Sequence, residues 1–309
     1  MISNKSEATR TKQFEVARTR HAGRWVAAAV VLLLGFAVVL SMTTNSRFEW
    51  AVVGHYFGAP VILEGLGRTL ALTAIAMMIG IVLGAILALM RLSSNPVIYA
   101  ASSVYTWFFR GIPPLVLLIF VYNISALYPS FGLRIPFGGP LLFSASANTV
   151  ITPFTAAIVG LGLNESAFMG EIIRAGIQSV PAGQTEAALS VGMSRLQVMR
   201  RIVLPQAMRL IIPPTGNETI GMLKMTSLVS VLALSDLLYS AQLIYSATFQ
   251  TIPLLTVATI WYLIATTILT LGQRYAEAHF SHSIRTGRRQ SLVGQVRANI
   301  IRRRGQVNR

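Results

Sequence analysis

Residues 69–90 read TLALTAIAMMIGIVLGAILALM, an uncharged run closed by Arg68 on one side and Arg91 on the other. As an α-helix these 22 residues rise about 33 Å, enough to cross a hydrocarbon core ~30 Å thick. Gly80 and Gly84 sit four apart within it, a small-xxx-small spacing that lets a second helix approach closely. The composition agrees with a membrane reading. Of 309 residues 53% are hydrophobic and only 12% charged, where soluble domains carry about 25%. That excludes an ordinary soluble enzyme, and so apolar a chain is not disordered. Cys is absent, which removes disulfides, a thiolate nucleophile and Cys-based metal sites.

Five further apolar stretches lie around this one. Residues 25–42 are uncharged and follow a basic segment; with no small-residue cleavage site after them, they read as a retained helix rather than a signal peptide. Beyond Pro96, residues 97–109 read as an aromatic-rich interfacial helix, with Tyr105, Trp107, Phe108 and Phe109 as a belt at the membrane edge. Spans are expected over 112–128, 152–173, 210–234 and 253–272, with a Gly/Pro/Ser-rich loop at 129–151 and a short connection at 235–252 holding Asp236. The expectation is an all-α integral membrane protein of about six transmembrane helices.

The net charge of +16 sits mostly at the ends: residues 1–24 carry six Lys/Arg and residues 274–309 carry nine. With six spans, one side collects 22 of the 26 basic residues and the other only Arg47, Arg68 and Arg134. The positive-inside bias then places both termini of a multi-pass membrane protein in the cytoplasm. The same bias accounts for the Arg-rich tail without nucleic acid. Catalytic signatures are missing. There is no Gly-Lys pair and hence no P-loop, no H-E-x-x-H and no G-x-S-x-G, and the four His are scattered. No catalytic, cofactor or metal-ligating residue is assigned.

Residues 182–205 are different. Thr185 to Val191 has helix-forming composition, Gly192 permits a turn other residues resist, and Ser194 is a good N-cap for a second short helix. Leu196, Met199, Ile202 and Val203 follow at helical spacing, and Pro205 is expected to end the unit. By itself this is a rigid two-helix protrusion or an amphipathic hairpin on the lipid surface.

The pattern Glu186-Ala187-Ala188, Gly192, Ile202, Leu204-Pro205 resembles the EAA loop of ABC importer permeases. Arg110-Gly-Ile-Pro-Pro, the run from Glu171 through Arg174 to Pro181, and Lys224-x-Thr226-Ser227-Leu228 resemble the polar amino-acid branch, the histidine/glutamine permease type. The resemblance covers about 62–279, so 25–42 looks like an extra helix added to a five-span core, flanked by a basic N-terminal segment (1–24) and a basic tail (280–309). Met199 stands where the family often has Phe, and Met225 where it often has Asp. The resemblance implies two permease chains, identical or homologous, two separate ABC ATPase subunits that bind the EAA loops, and a periplasmic amino-acid-binding protein. ATP and Mg would then sit in the partner ATPase, and this chain would bind no cofactor. Glu186, Ala187, Ala188, Gly192, Met199, Ile202, Leu204 and Pro205 would form the coupling loop.

Polar residues inside spans are costly and face a cavity or a partner. The candidates for a substrate pathway are Asn164, Glu165 and Glu171 in the fourth span, and Asn217, Glu218, Lys224, Thr226 and Ser227 in the fifth. Glu171 precedes Arg174 by three, which suits an ion pair. Lys224 either meets a substrate carboxylate or bridges to a glutamate. Pro213-Pro214 is expected to disturb the start of its helix and free carbonyls. Two rival readings remain: an ion-coupled secondary amino-acid transporter or channel working without an ATPase, and a scaffold or nucleic-acid-binding membrane protein using its Arg-rich tail.

Overall fold

The structure, a computed structural model, describes the backbone of residues 22–134 and 141–307 and the side chains of 23, 25–132 and 144–280. Nearly all of the basic N-terminal segment, and the tail side chains beyond Phe280, lie outside the described residues. The chain forms two compact units, 1–49 and 50–309. The first holds α1 (Ala22–Thr44), of mean hydropathy 2.6 over its best window, long and apolar enough to cross a membrane.

The second unit contains α2 (Trp50–Phe57), α3 (Pro60–Arg91), α4 (Pro96–Gly111) and α5 (Pro114–Tyr122). A hairpin of β1 (Ser130–Arg134) and β2 (Leu141–Ser146), antiparallel with a bulge between Leu133 and Arg134, leads into the single turn α6 (Ala147–Val150). Then come α7 (Pro153–Gln178), α8 (Ala182–Ser190), α9 (Arg195–Val198), α10 (Leu204–Met225), α11 (Leu237–Thr248) and α12 (Thr251–Val307). Among the described residues, four helices can cross a membrane alone, and six spans result if each of two bent pairs counts as one. The all-α expectation holds apart from the hairpin, which lies where a loop was expected.

The third span is one of the bent pairs. It is not a straight helix over 112–128: α4 and α5 meet at 101°. Ile112 is extended (ψ 132°) because Pro113 follows it, and Pro114 restarts the helix at its first position. At nine residues α5 is about 14 Å long, half a bilayer core. Likewise 235–252 is no simple connection, since most of it is α11, with Leu237 and Ala241 buried against Leu254 and Val257 of α12.

The core of the unit is the crossing of α3 and α7. A Cβ on Gly84 would stand 2.7 Å from Met169 Cβ and 2.8 Å from Gly170 N, and one on Gly80 would stand 2.5 Å from Glu165 Cγ. The small-residue spacing does bring a second helix into backbone contact, and Gly170 answers Gly84 from the facing side. Leu72, Ala76 and Met77 of α3, Leu117 and Leu118 of α5, and Leu161 and Met169 of α7 pack around this crossing.

Candidate functional site

The segment 182–205 forms a compact element with its own small core. The helix α8 ends in a paired turn: Gly192 N–H donates to Leu189 O (3.0 Å) and Met193 N–H to Ala188 O (3.2 Å). That arrangement needs a left-handed residue after the helix, and Gly192 has φ +86°. Ser194 caps α9, and Gln197 returns the bond, its Oε1 accepting from Ser194 N–H at 2.8 Å. Ala188, Val198 and Val203 are buried together, with Met193, Met199 and Ile202 against them.

Two sequence expectations fail here. Leu196 is not on the packed stripe but 61% exposed, and Val198 takes its place. Residues Met199–Val203 form a π-helical turn, whose wider winding shifts the phase of the residues before it. Pro205 does not end the unit; it sits in the first turn of α10, where a missing N–H costs nothing. Gln206 Nε2 donates to Gln184 Oε1 at 2.6 Å and ties α10 back to α8. Glu186 and Ala187 are exposed. Leu189, Val191 (79% exposed), Leu196 and Leu204 of the same element are exposed apolar residues.

The polar residues of the spans fall into four places. Asn164 and Glu165, each 1% exposed, sit inside α7 near the α4–α5 elbow. Asn164 Nδ2 donates to Phe109 O at 2.6 Å, which holds the elbow just before Arg110. Asn164 Oδ1 and Glu165 Oε1 have no donor. Glu218 of α10 lies within electrostatic reach of Glu165 and Arg110, and the Arg110 guanidinium lies over the Phe168 ring at 5.3 Å. Sequence reasoning missed Arg110 as a member of this cluster, although its place beside tandem prolines marked the elbow.

Glu171 is elsewhere. It accepts from Arg174 Nη2 at 2.6 Å and pairs with Arg91 Nη2 of α3 at 3.4 Å. The expected helical pair is present, and Arg91 joins it from a distant part of the sequence. Asn217 Oδ1 accepts from Gln273 Nε2 at 3.0 Å, and the same nitrogen donates to Pro213 O at 3.2 Å. The tandem prolines do not disturb the helix start as expected: α10 runs unbroken through them, braced by Gln273, which closes on Gly216.

Lys224, Thr226 and Ser227 form the fourth group, where α10 passes into a 3-10 stretch, Thr226–Leu232. Among the described residues no ion pair involves Lys224, which is exposed. Thr226 is buried and donates to Leu223 O. Ser227 Oγ donates to Lys224 O at 2.7 Å.

A bundle of membrane-crossing helices that turns out a capped two-helix element, and carries charge in its interior, is a membrane transport subunit. Residues 80–282 match the binding-protein-dependent transport system inner membrane component family, and the chain belongs to it. It is 46% identical, over 87% of its length and 84% of the relative's, to the arginine transport system permease protein ArgU of Corynebacterium glutamicum. It is 35% identical to the probable glutamine ABC transporter permease protein GlnM of Bacillus subtilis, over 72% of this chain and 94% of that one. A crystal structure of an amino acid ABC transporter with histidines matches at a TM-score of 0.59 and 37% identity, covering 71% of this chain and 94% of that chain. The chain is therefore the permease subunit of an ATP-driven amino-acid importer of the inner membrane, a multi-pass transport component and not an enzyme. Such subunits work with a separate ATPase and a substrate-binding protein; the ion-coupled alternative is not favoured.

Proposed function

We propose that this permease imports polar amino acids, cationic ones foremost, with both termini in the cytoplasm and the 182–205 element docked on the ATPase. The observation that carries the docking is the exposure of the apolar Leu189, Val191 and Leu196 in the same element as Glu186; exposed apolar patches ringed by polar groups mark interaction surfaces. Glu186, Ala187, Ala188, Gly192, Met199, Ile202, Leu204 and Pro205 make up that coupling loop, and ATP and Mg are held by the ATPase alone. The second permease is a copy of this chain or a homologue.

In the membrane interior, the unpaired acceptors of Asn164 and Glu165, with Glu218 nearby, suit a donor-rich cationic group. The arginine transport role of one relative supports the same class. Lys224, with Thr226 and Ser227, suits the substrate carboxylate. Glu171 and Asn217 brace the helices through Arg91, Arg174 and Gln273.

The test is purification of the tagged full chain in mild detergent with mass spectrometry of what accompanies it. An ATPase at a 1:1 ratio supports the reading, and the presence or absence of a second permease decides between homodimer and heterodimer. Transport without an ATPase, and none recovered after crosslinking, would return the reading to a secondary transporter. In the assembled importer, Lys224→Ala is expected to lower arginine uptake with the complex intact; unchanged uptake kinetics would remove Lys224 from the pathway.

A further inference from the structure

The break between Thr226 and α11 is built around one carboxylate. Asp236 is 0% exposed. Its Oδ1 accepts from Tyr239 N–H at 2.9 Å, and its Oδ2 accepts from Leu238 N–H and from the Tyr262 hydroxyl of α12, both at 3.3 Å. Beside it Thr69 of α3 accepts from Leu237 N–H at 3.1 Å. The Tyr262 hydroxyl also lies against the Thr69 and Thr226 hydroxyls. Arg68 Nη1 donates to Ser235 O at 3.3 Å. The backbone here is bent hard: Ala233 has φ +54°, and Asp236 N–H donates to Leu234 O at 2.7 Å. Gly65 lets α3 close on the bend, since a Cβ there would meet Ser240 Oγ and stand 2.7 Å from Asp236 O.

Capping alone does not explain a carboxylate here. Asn or Ser caps a helix about as well as Asp, while burying a carboxylate costs several kcal/mol unless its oxygens are fully engaged. What the carboxylate adds is a second acceptor oxygen, which takes a donor from another element at 3.3 Å, and that donor is Tyr262. The cluster of Asp236, Tyr262 and Thr69 thus joins α3, the 3-10 stretch, α11 and α12, and the stretch it holds begins two residues after Lys224.

We propose that Asp236 and Tyr262 are positioning residues for transport: with Thr69 they fix the bend over 226–237 and so set where Lys224 and Ser227 stand. The proposal rests on the pathway role given above to Lys224 and Ser227. Neither residue touches substrate.

The chain has no cysteine, so Val231→Cys, exposed within the same bend and outside the proposed pathway, provides a single reporter on it. The full importer carrying that reporter, in proteoliposomes, is labelled with a membrane-impermeant maleimide, and ATP-dependent uptake of radiolabelled arginine is followed alongside. Asp236→Asn keeps the cap and Tyr262→Phe removes one hydroxyl. Each is expected to raise the labelling rate about fivefold and to lower maximal uptake about tenfold, the scale of one buried hydrogen bond. Half-saturation and melting temperature should stay at the parent values. Parent labelling and uptake in both variants would overturn the proposal. So would uptake lost only in step with melting temperature, with labelling unchanged, which is the behaviour of a plain cap. Labelling does not depend on which amino acid is carried. Absent arginine uptake in the parent would count against the substrate class, while the labelling rates would still decide the anchor.

Discussion

Gly84 and Gly192 are both places where glycine is required, for opposite reasons. Gly84 lies within α3 with ordinary helical geometry, and what it lacks is room: backbone and side chain of α7 stand within 3 Å of where a Cβ would be. Gly192 has nothing within 4 Å, and what it needs is φ +86°. The first belongs to a region whose stability is interhelical packing, where van der Waals contact between close backbones takes the place of the hydrophobic effect. The second belongs to an element held by a turn, a cap and a three-residue core, which makes it a small, separable piece with exposed apolar surface left over. One region is built to stay rigid. The other is built to present a shape.

That contrast can be broken or sharpened by substitution. Gly84→Leu should have the largest effect, a loss of about 3 kcal/mol or more from overpacking the crossing, seen as failure to recover folded protein or a large drop in melting temperature in detergent. A wild-type melting curve would mean that the two helices do not meet as described. Glu186→Lys should leave the melting curve alone yet cut ATP-dependent uptake at least about tenfold, because it reverses a charge at the proposed ATPase contact; substrate-stimulated ATPase activity at the wild-type level would remove Glu186 from that contact. Gly192→Ala should cost roughly 1–2 kcal/mol locally, the left-handed penalty for a residue with a Cβ. It should weaken coupling without harming membrane insertion, and proteolysis of the 182–205 element in the assembled complex would report it. Gly183→Ala should have the smallest effect. That position is in the first turn of α8, with no neighbour within 4 Å and no positive φ, so a slight stabilisation of a few tenths of a kcal/mol is expected. Impaired coupling there would show that the ATPase reads the α8 surface itself.

The residues that local chemistry alone could place are where reading and structure agree. Ser194 acts as a cap, Gly192 turns, Gly80 and Gly84 accept a helix, and Glu171 finds Arg174 three residues on. Apart from the helix that closes on Gly80 and Gly84, each of these depends on neighbours within a few positions. The grouping of the candidate polar residues was not legible in the sequence. Asn164 and Glu171, seven apart and nominally on one face, end in different surroundings: Asn164 holds the Phe109 carbonyl, and Glu171 is drawn to Arg91. Asp236 was a polar residue in a connection until α11 formed around it, though a Ser-Asp pair before an apolar run is itself a cap signal.

By itself the sequence determined that the chain lives in a membrane, how many apolar stretches it offers and where its charge lies, because transfer free energy and charge bias add residue by residue. It also determined the turn and cap chemistry of the 182–205 element, which is local. Only the tertiary structure decided that α4 and α5 break at 101°, that α11 exists, that α10 passes through two prolines, and that Arg91, Gln273 and Tyr262 complete the polar groups of α7, α10 and α11. Those outcomes turn on which partner satisfies a buried polar atom or a missing backbone donor. In a bilayer, with no water to stand in, such partners come from helices far away in the sequence.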